Sequence, residues 1–319
     1  MQFNKDTFSV SFLLRKVILA IVILFLFWAS VTASKGRNPA PLLLALWNWG
    51  HILLFALLTY YALSFITRIR SGSLCRQAVS IFLITLVLGV GIECWQYIFH
   101  SGKPDVEDVI RNFLGSGVVF LFMSSFKEKK TLTILLRVII LILLVREMLP
   151  VAYAAGDKIQ AEKQFPVLAD FESQSELSRW QGDAVRSLCR EQVFHGQQAL
   201  KTKFSSARYS SLSLEHFPGD WSAYERLYFH IFNPDSQRFK LTCRIHDRQH
   251  VNNGYAYSDR YHKEIILKPG WNALLINLRE IEHAPESRKM DLRRIENFML
   301  FSQSLPDERT IYIDYIYLK

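Results

Sequence analysis

Five long apolar segments fill the first 155 residues of this 319-residue chain, and they constrain its fold more than any other feature. A membrane span needs about 20 mainly apolar residues. Segments 12–33, 45–67, 78–99 and 131–152 meet that length, and 109–126 is a shorter candidate. After Gly156 charged and aromatic residues mix evenly and no apolar run is long enough to cross a bilayer. The pattern predicts an α-helical transmembrane bundle of five helices over residues 1–155, a linker over 156–166, and a soluble domain over 167–319. Segment 12–33 has a second reading as a cleaved signal peptide, because Val31-Thr32-Ala33 resembles a small-residue cleavage site. The further spans after it favour a retained helix.

The net charge of +9 invites a nucleic-acid reading, but much of the basic charge of the first half lies between apolar segments. There Lys and Arg set membrane orientation. With neither a basic helix carrying interleaved aromatics nor zinc-finger spacing, no nucleic-acid partner is expected. Lys5, Arg15 and Lys16 at the N-terminus, Arg68, Arg70 and Arg76 in the second loop, and Lys127, Lys129 and Lys130 in the fourth share one side. The other side carries Lys35 and Arg37, then a loop in which Asp105, Glu107 and Asp108 outnumber Lys103. The bias places the N-terminus inside and, after five spans, the C-terminal domain outside. Cys75, Cys94, Cys189 and Cys243 lack metal-type spacing, and whether Cys189 and Cys243 pair stays open.

Ionisable residues within spans are costly, so each is a candidate for function. His51 stands at the outer end of the second segment, Glu93 and Gln96 at the outer end of the third, and Asp105, Asp108 and Asn112 at the start of the fourth. Residues three or four apart share a helix face, which groups Glu93 with Gln96 and Asp108 with Asn112. Topology brings all of them to one depth. Each also has an ordinary reading: Asp108 as a favourable charge at a helix start, His51 as a headgroup-layer residue beside Trp47 and Trp49. Their convergence, with Glu93 inside an otherwise apolar run, favours a site.

His51, then Glu93-x-x-Gln96, then Asp108-x-x-x-Asn112-x-x-Gly115 resembles the VanZ-like family of bacterial membrane proteins over roughly Trp47 to Phe122. Two positions depart from the family pattern. Trp47-Asn48 stands where the family commonly has an Asp-Lys pair, and Lys103 stands near where it has an Arg. The resemblance implies the wider Lipocone superfamily, inferred to act on lipid headgroups or polyprenyl-linked intermediates, and an association with glycopeptide tolerance. It implies a location in the bacterial cytoplasmic membrane. A His and a carboxylate can exchange protons with a phosphate ester or a water. His51, Glu93 and Asp108 are thus the expected catalytic residues, with His51 as acid/base and Glu93 as a second proton carrier. Gln96, Lys103, Asp105, Asn112 and Arg146 are expected to bind substrate, and an Asp–Asn pair could hold a cation. No cofactor or metal is specified. Gly89, Gly91, Gly115 and Gly117 are expected to permit close helix packing.

From Val167 onward, short runs of β-branched and aromatic residues alternate with turn signals such as Asn233-Pro234 and Pro269-Gly270. An all-β jelly-roll sandwich is expected, with strands near 168–171, 199–204, 210–215, 226–232, 239–246, 264–268, 272–277, 297–301 and 310–318. Asp170-Phe-Glu172, Gly196-x-x-Ala199, Pro269-Gly-Trp-Asn272 and Ile313-Asp-Tyr-Ile316 resemble the galactose-binding-like and carbohydrate-binding-module sandwiches. That resemblance implies polysaccharide as a partner. Arg244, His246, Asp247, Tyr255, Tyr257, Asp259 and Arg260 form the candidate glycan face, the ordinary alternative being a sandwich edge with ion pairs. Trp180, Trp221 and Trp271 are expected in the core.

The combined expectation is an envelope protein that processes a lipid headgroup or polyprenyl-linked glycan, as a hydrolase or transferase, beneath a glycan-binding-like sandwich. The alternative is a non-catalytic, membrane-anchored carbohydrate-binding or assembly protein in which the polar cluster only tethers helices.

Overall fold

The computed structural model describes residues 3–32, 40–100, 105–124 and 130–319, so Lys103 lies outside the described residues. The chain forms two compact units, residues 1–152 and 153–319.

The first unit consists of α1 (Phe3–Thr32), α2 (Pro41–Phe65), the short α3 (Thr67–Arg70), α4 (Leu74–His100), α5 (Val106–Met123) and the first part of α6 (Lys130–Gln164). Pro41 begins α2 where a missing N–H costs nothing. Asp105 caps α5 by accepting a hydrogen bond from the Glu107 N–H at 2.9 Å. Among the described residues, α2 and α4 are long and apolar enough to cross a membrane. Within those apolar windows 33% and 28% of the residues are buried. Two helices meet this test, not the five expected. The α5 segment carries Glu107, Asp108 and Arg111, which lowers its hydropathy. Glycine sets how closely α2 and α5 approach: a Cβ on Gly115 would lie 2.1 Å from the Ile52 carbonyl oxygen. A Cβ on Gly89 would meet Asn112, whereas Gly91 has open space and plays no packing part.

The second unit starts inside α6. The stretch 156–166 is mostly helical, because α6 continues to Gln164. Ala, Lys, Gln and Glu dominate this stretch and favour helix, and Gly156 does not interrupt it. Arg179, almost fully buried, grips Asp157 of α6 through Nε and Nη2 at 2.8 and 2.9 Å. The end of α6 is thereby part of the sandwich's own packing.

The sandwich comprises β1 (Val167–Ala169), β2 (Trp180–Gln181), β3 (Val185–Cys189), β4 (Ala199–Phe204), β5 (Tyr209–Leu214), β6 (Arg226–Asn233), β7 (Phe239–Asp247), β8 (Tyr261–Leu267), β9 (Gly270–Asn277), β10 (Ile295–Gln303) and β11 (Arg309–Leu318). One sheet runs β3-β4-β11-β6-β9, with β1 also paired to β11, and the other runs β2-β5-β10-β7-β8. Every pairing is antiparallel. Alternation sends Leu227, Phe229 and Ile231 of β6 and Phe298 and Leu300 of β10 into one core with Trp180 and Trp221. Trp271 departs from expectation: it is 36% exposed, on the residue parity of β9 opposite to buried Ile276. Cys189 and Cys243 are free thiols, the latter fully enclosed.

Glu176, fully buried, accepts the Phe171 N–H at 2.9 Å. Burial, reinforced by a hydrogen bond and repulsion from Asp170, pushes its pKa up to about 8. The folded state therefore binds this proton more tightly than the unfolded chain, whose carboxyl titrates near 4.5. Its contribution to stability is complete below that value and is lost as pH rises toward about 8. The sandwich unfolding transition, followed by fluorescence of buried Trp180 and Trp221, is expected to fall across that window. The slope should reach at most about 1.4 kcal/mol per pH unit. Glu176→Gln should flatten it, and an unchanged profile in that variant would refute the assignment.

Candidate functional site

Three helices of the first unit bring His51 (α2), Glu93 (α4), Asp108 and Asn112 (α5) together, and all four side chains are at most 5% exposed. Asn112 Oδ1 stands 3.1 Å from His51 Nδ1. Where Nδ1 carries the hydrogen, Asn112 Oδ1 accepts it and Nε2 keeps its lone pair. Nε2 lies 3.6 Å from Asp108 Oδ2 and has no hydrogen-bond partner. Glu93 Oε2 accepts the backbone N–H of Asp105 at 2.9 Å, so a carboxylate on α4 holds the start of α5. One ligand atom from each of His51, Glu93 and Asp108 lies within 4.8 Å of the others, so these are the residues that can share a metal ion.

Arg111 and Glu147 complete the cluster and carry no signal of their own in the sequence pattern. Arg111 donates to Asp108 Oδ1 and Glu107 Oε2 at 2.7 Å and to Glu147 Oε2 at 2.9 Å. It thereby ties α5 to α6, and the Glu147 carbonyl accepts the Trp49 indole N–H at 2.8 Å. The clue was the pair Arg146-Glu147 near the end of an apolar run. Of the two, Glu147 turns inward to Arg111, whereas Arg146 is exposed. Gln96 is half-buried and Asp105 serves as the α5 cap, 3.9 Å from Arg111. Below the cluster Thr85 and Ser116 hydrogen-bond at 2.7 Å, a further polar link between α4 and α5.

In the sandwich, Asp247 and Asp259 are joined by Arg288, which donates to both at 2.6–2.9 Å. Arg288 is the first cause of the low Asp259 pKa, about 2. His250 contacts Asp259 Oδ2 at 3.2 Å and Arg244 Nη2 at 3.1 Å. Burial first, then Arg244, lowers the His246 pKa to about 3 and keeps that ring neutral. Asp247, Asp259 and His246 thus belong to an interior network. Tyr255 and Tyr257 are exposed, and the Arg260 guanidinium lies 4.8 Å from the Tyr257 ring centre. A second aromatic surface forms where Phe194, 49% exposed, stacks on His230 at 3.6 Å and meets Trp271 at 5.3 Å.

No curated protein matches the chain. Among solved structures, the chain is similar to a family 11 carbohydrate-binding module from Clostridium thermocellum in complex with a β-1,3-1,4-mixed-linked tetrasaccharide. Identity is 15%, coverage is 48% of this chain and 93% of that one, and the TM-score is 0.37. It is also similar to an exo-β-agarase, with 18% identity, 48% of this chain, 24% of that chain and a TM-score of 0.40. A family 30 carbohydrate-binding module of a Clostridium thermocellum cellulosomal cellulase gives 13% identity, 44% and 91% coverage and a TM-score of 0.34. Residues 3–127 match the VanZ/LLP1 family model.

Proposed function

We propose that the helical unit processes the phosphate-bearing headgroup of a membrane lipid or a polyprenyl-linked glycan, as a hydrolase or transferase. The observation that carries this reading is the convergence of His51, Glu93 and Asp108 from α2, α4 and α5 inside an apolar bundle. Polar groups buried among apolar helices are costly, and function is the ordinary reason to keep them. Asn112 fixes the ring of His51 so that Nε2 presents a lone pair to a proton or an electrophile. Glu93 is the second proton carrier, Asp108 orients charge with Arg111 behind it, and Gln96, Asp105 and Lys103 bind the substrate in this reading. Arg146, exposed on α6, would meet a phosphate only at the bilayer surface. With the full-length protein in liposomes containing lipid phosphates or polyprenyl diphosphates, headgroup turnover should fall about 100-fold or more in His51→Ala and Glu93→Gln. Wild-type rates in both variants would instead leave the cluster as a helix tether, the non-catalytic reading.

The location follows from the same residues. In this reading five helices span the cytoplasmic membrane, with the N-terminus inside and the sandwich outside. The cluster of basic residues at 127–130, against the acidic stretch 105–108, supports that orientation. A cysteine placed at Gly102 should react with an impermeant maleimide in intact cells and one at Lys129 should not; the opposite pattern inverts the topology.

A second reading, glycan binding by the sandwich, is favoured by its exposed rings. Aromatic faces flanked by polar groups suit sugar stacking, and Tyr257 with Arg260, or Trp271 with Phe194, offers such a face. Binding on a polysaccharide panel should weaken in Tyr257→Ala if the first surface is used and in Trp271→Ala if the second is. Binding unaffected by either change, or none by the wild type, would remove the glycan role.

A further inference from the structure

We infer that His51, Glu93 and Asp108 hold a divalent metal ion of the manganese or zinc kind, which deepens the headgroup reading by naming the cofactor of its site. The distance between His51 Nε2 and Asp108 Oδ2 decides the matter: 3.6 Å is too long for a hydrogen bond. It suits two ligands of one ion. Metal–nitrogen and metal–oxygen bonds of about 2.0–2.2 Å place neighbouring ligand atoms roughly 3–3.5 Å apart. The His51–Asp108 gap needs to close by only a few tenths of an ångström, and the Glu93 oxygen, within 4.8 Å of both, by about an ångström of side-chain rotation.

The surroundings of each group match what ligands of a metal require. A ligating imidazole has its other nitrogen fixed by an acceptor, and here Nδ1 faces Asn112 Oδ1. Ligating carboxylates are themselves hydrogen-bonded, and here Arg111 donates to Asp108 while the Asp105 N–H donates to Glu93. His51 Nε2, 1% exposed and without a hydrogen-bond partner, points its lone pair at a carboxylate oxygen. Two electron-rich atoms so placed repel unless a proton or a cation stands between them. One imidazole nitrogen with two carboxylates is a donor set for manganese or zinc rather than for calcium, which takes oxygen alone. With an ion in place, the His51 lone pair is committed to it. A metal held there would supply an electrophile for a phosphate oxygen, in place of proton transfer by His51.

The test measures metal, not turnover, so this inference and the headgroup reading can fail separately. Full-length protein purified in detergent without chelators is assayed for bound metals by plasma mass spectrometry. After chelator treatment it is titrated with Mn2+ and followed by electron paramagnetic resonance. About one ion per chain is expected. Binding should weaken at least tenfold in His51→Ala and in the isosteric Glu93→Gln and Asp108→Asn, and should persist in Cys75→Ser, an exposed position of α4 outside the cluster. Should His51→Ala fail to fold, the two isosteric variants carry the comparison. A wild-type protein that retains no metal and shows no bound Mn2+ overturns the inference, as does binding that is unchanged in all three variants. Loss of binding in Cys75→Ser alone would also overturn it. Metal binding without headgroup turnover would keep the ion and discard the proposed reaction.

Discussion

The first unit depends on one cation. Arg111 lies in an apolar helix, 8% exposed, and its guanidinium reaches Asp108 and Glu107 on its own helix and Glu147 on the next. Desolvating that charge is tolerable only because the carboxylates take up its fork, and removing a partner from such a buried pair costs about 3–5 kcal/mol. Arg111 fixes Asp108, Asp108 faces His51, and Asn112, one residue after Arg111, fixes the other side of the same ring. The Ile52–Gly115 approach clamps the same two helices. The geometry at His51 therefore follows from helix packing, and no flexible loop is needed to assemble it.

The parts of this site that the sequence revealed are those that break an apolar run. Glu93, His51, Asp108 and Asn112 each interrupt a hydrophobic segment, and helical spacing places Asp108 and Asn112 on one face. Arg111 and Glu147 escaped notice because their meaning lies in a pairing 36 residues apart, which periodicity cannot encode. The pair Arg146-Glu147 showed that something polar lay near the end of the fifth segment, but a one-residue step on a helix turns a side chain by about 100°. Only the packing of α6 on α5 decides which of the two faces inward.

In the sandwich, strand positions were legible because apolar alternation of period two is a local signal. The edge elements β2 and β3 were not, being short or weakly alternating, with Val185 exposed on β3. The helical state of the stretch 156–164 was illegible for a related reason. Its polar composition resembles a connector, yet Asp157 has a buried partner in Arg179, 22 residues on, and that clamp holds the segment as helix. Likewise the charged stretch from Arg244 to Arg260 looks like a ligand face only while Arg288 is left out of view. Arg288 pairs with Asp247 and Asp259, so both carboxylates of that stretch are occupied within the fold.

The two clusters differ in how closely their innermost groups meet. Around Arg288, a planar guanidinium donates to two carboxylates in a bidentate pattern with every contact between 2.6 and 2.9 Å. Such a group is closed: its charges neutralise one another at hydrogen-bond distance, and admitting a ligand would break bonds already made. Around His51 the outer contacts are equally tight, at 2.7–3.1 Å, but the innermost approach, Nε2 to Asp108, stays at 3.6 Å. Tight outer bonds prevent the ring and the carboxylates from collapsing onto each other. The packing of three helices therefore preserves a gap at which lone pairs point inward, in a medium where an uncompensated lone pair is costly. A fold optimised only for stability would close that gap with a hydrogen bond. One that must bind a cation or a developing charge has reason to keep it open, and the rigidity of α2, α4 and α5 is what keeps it so.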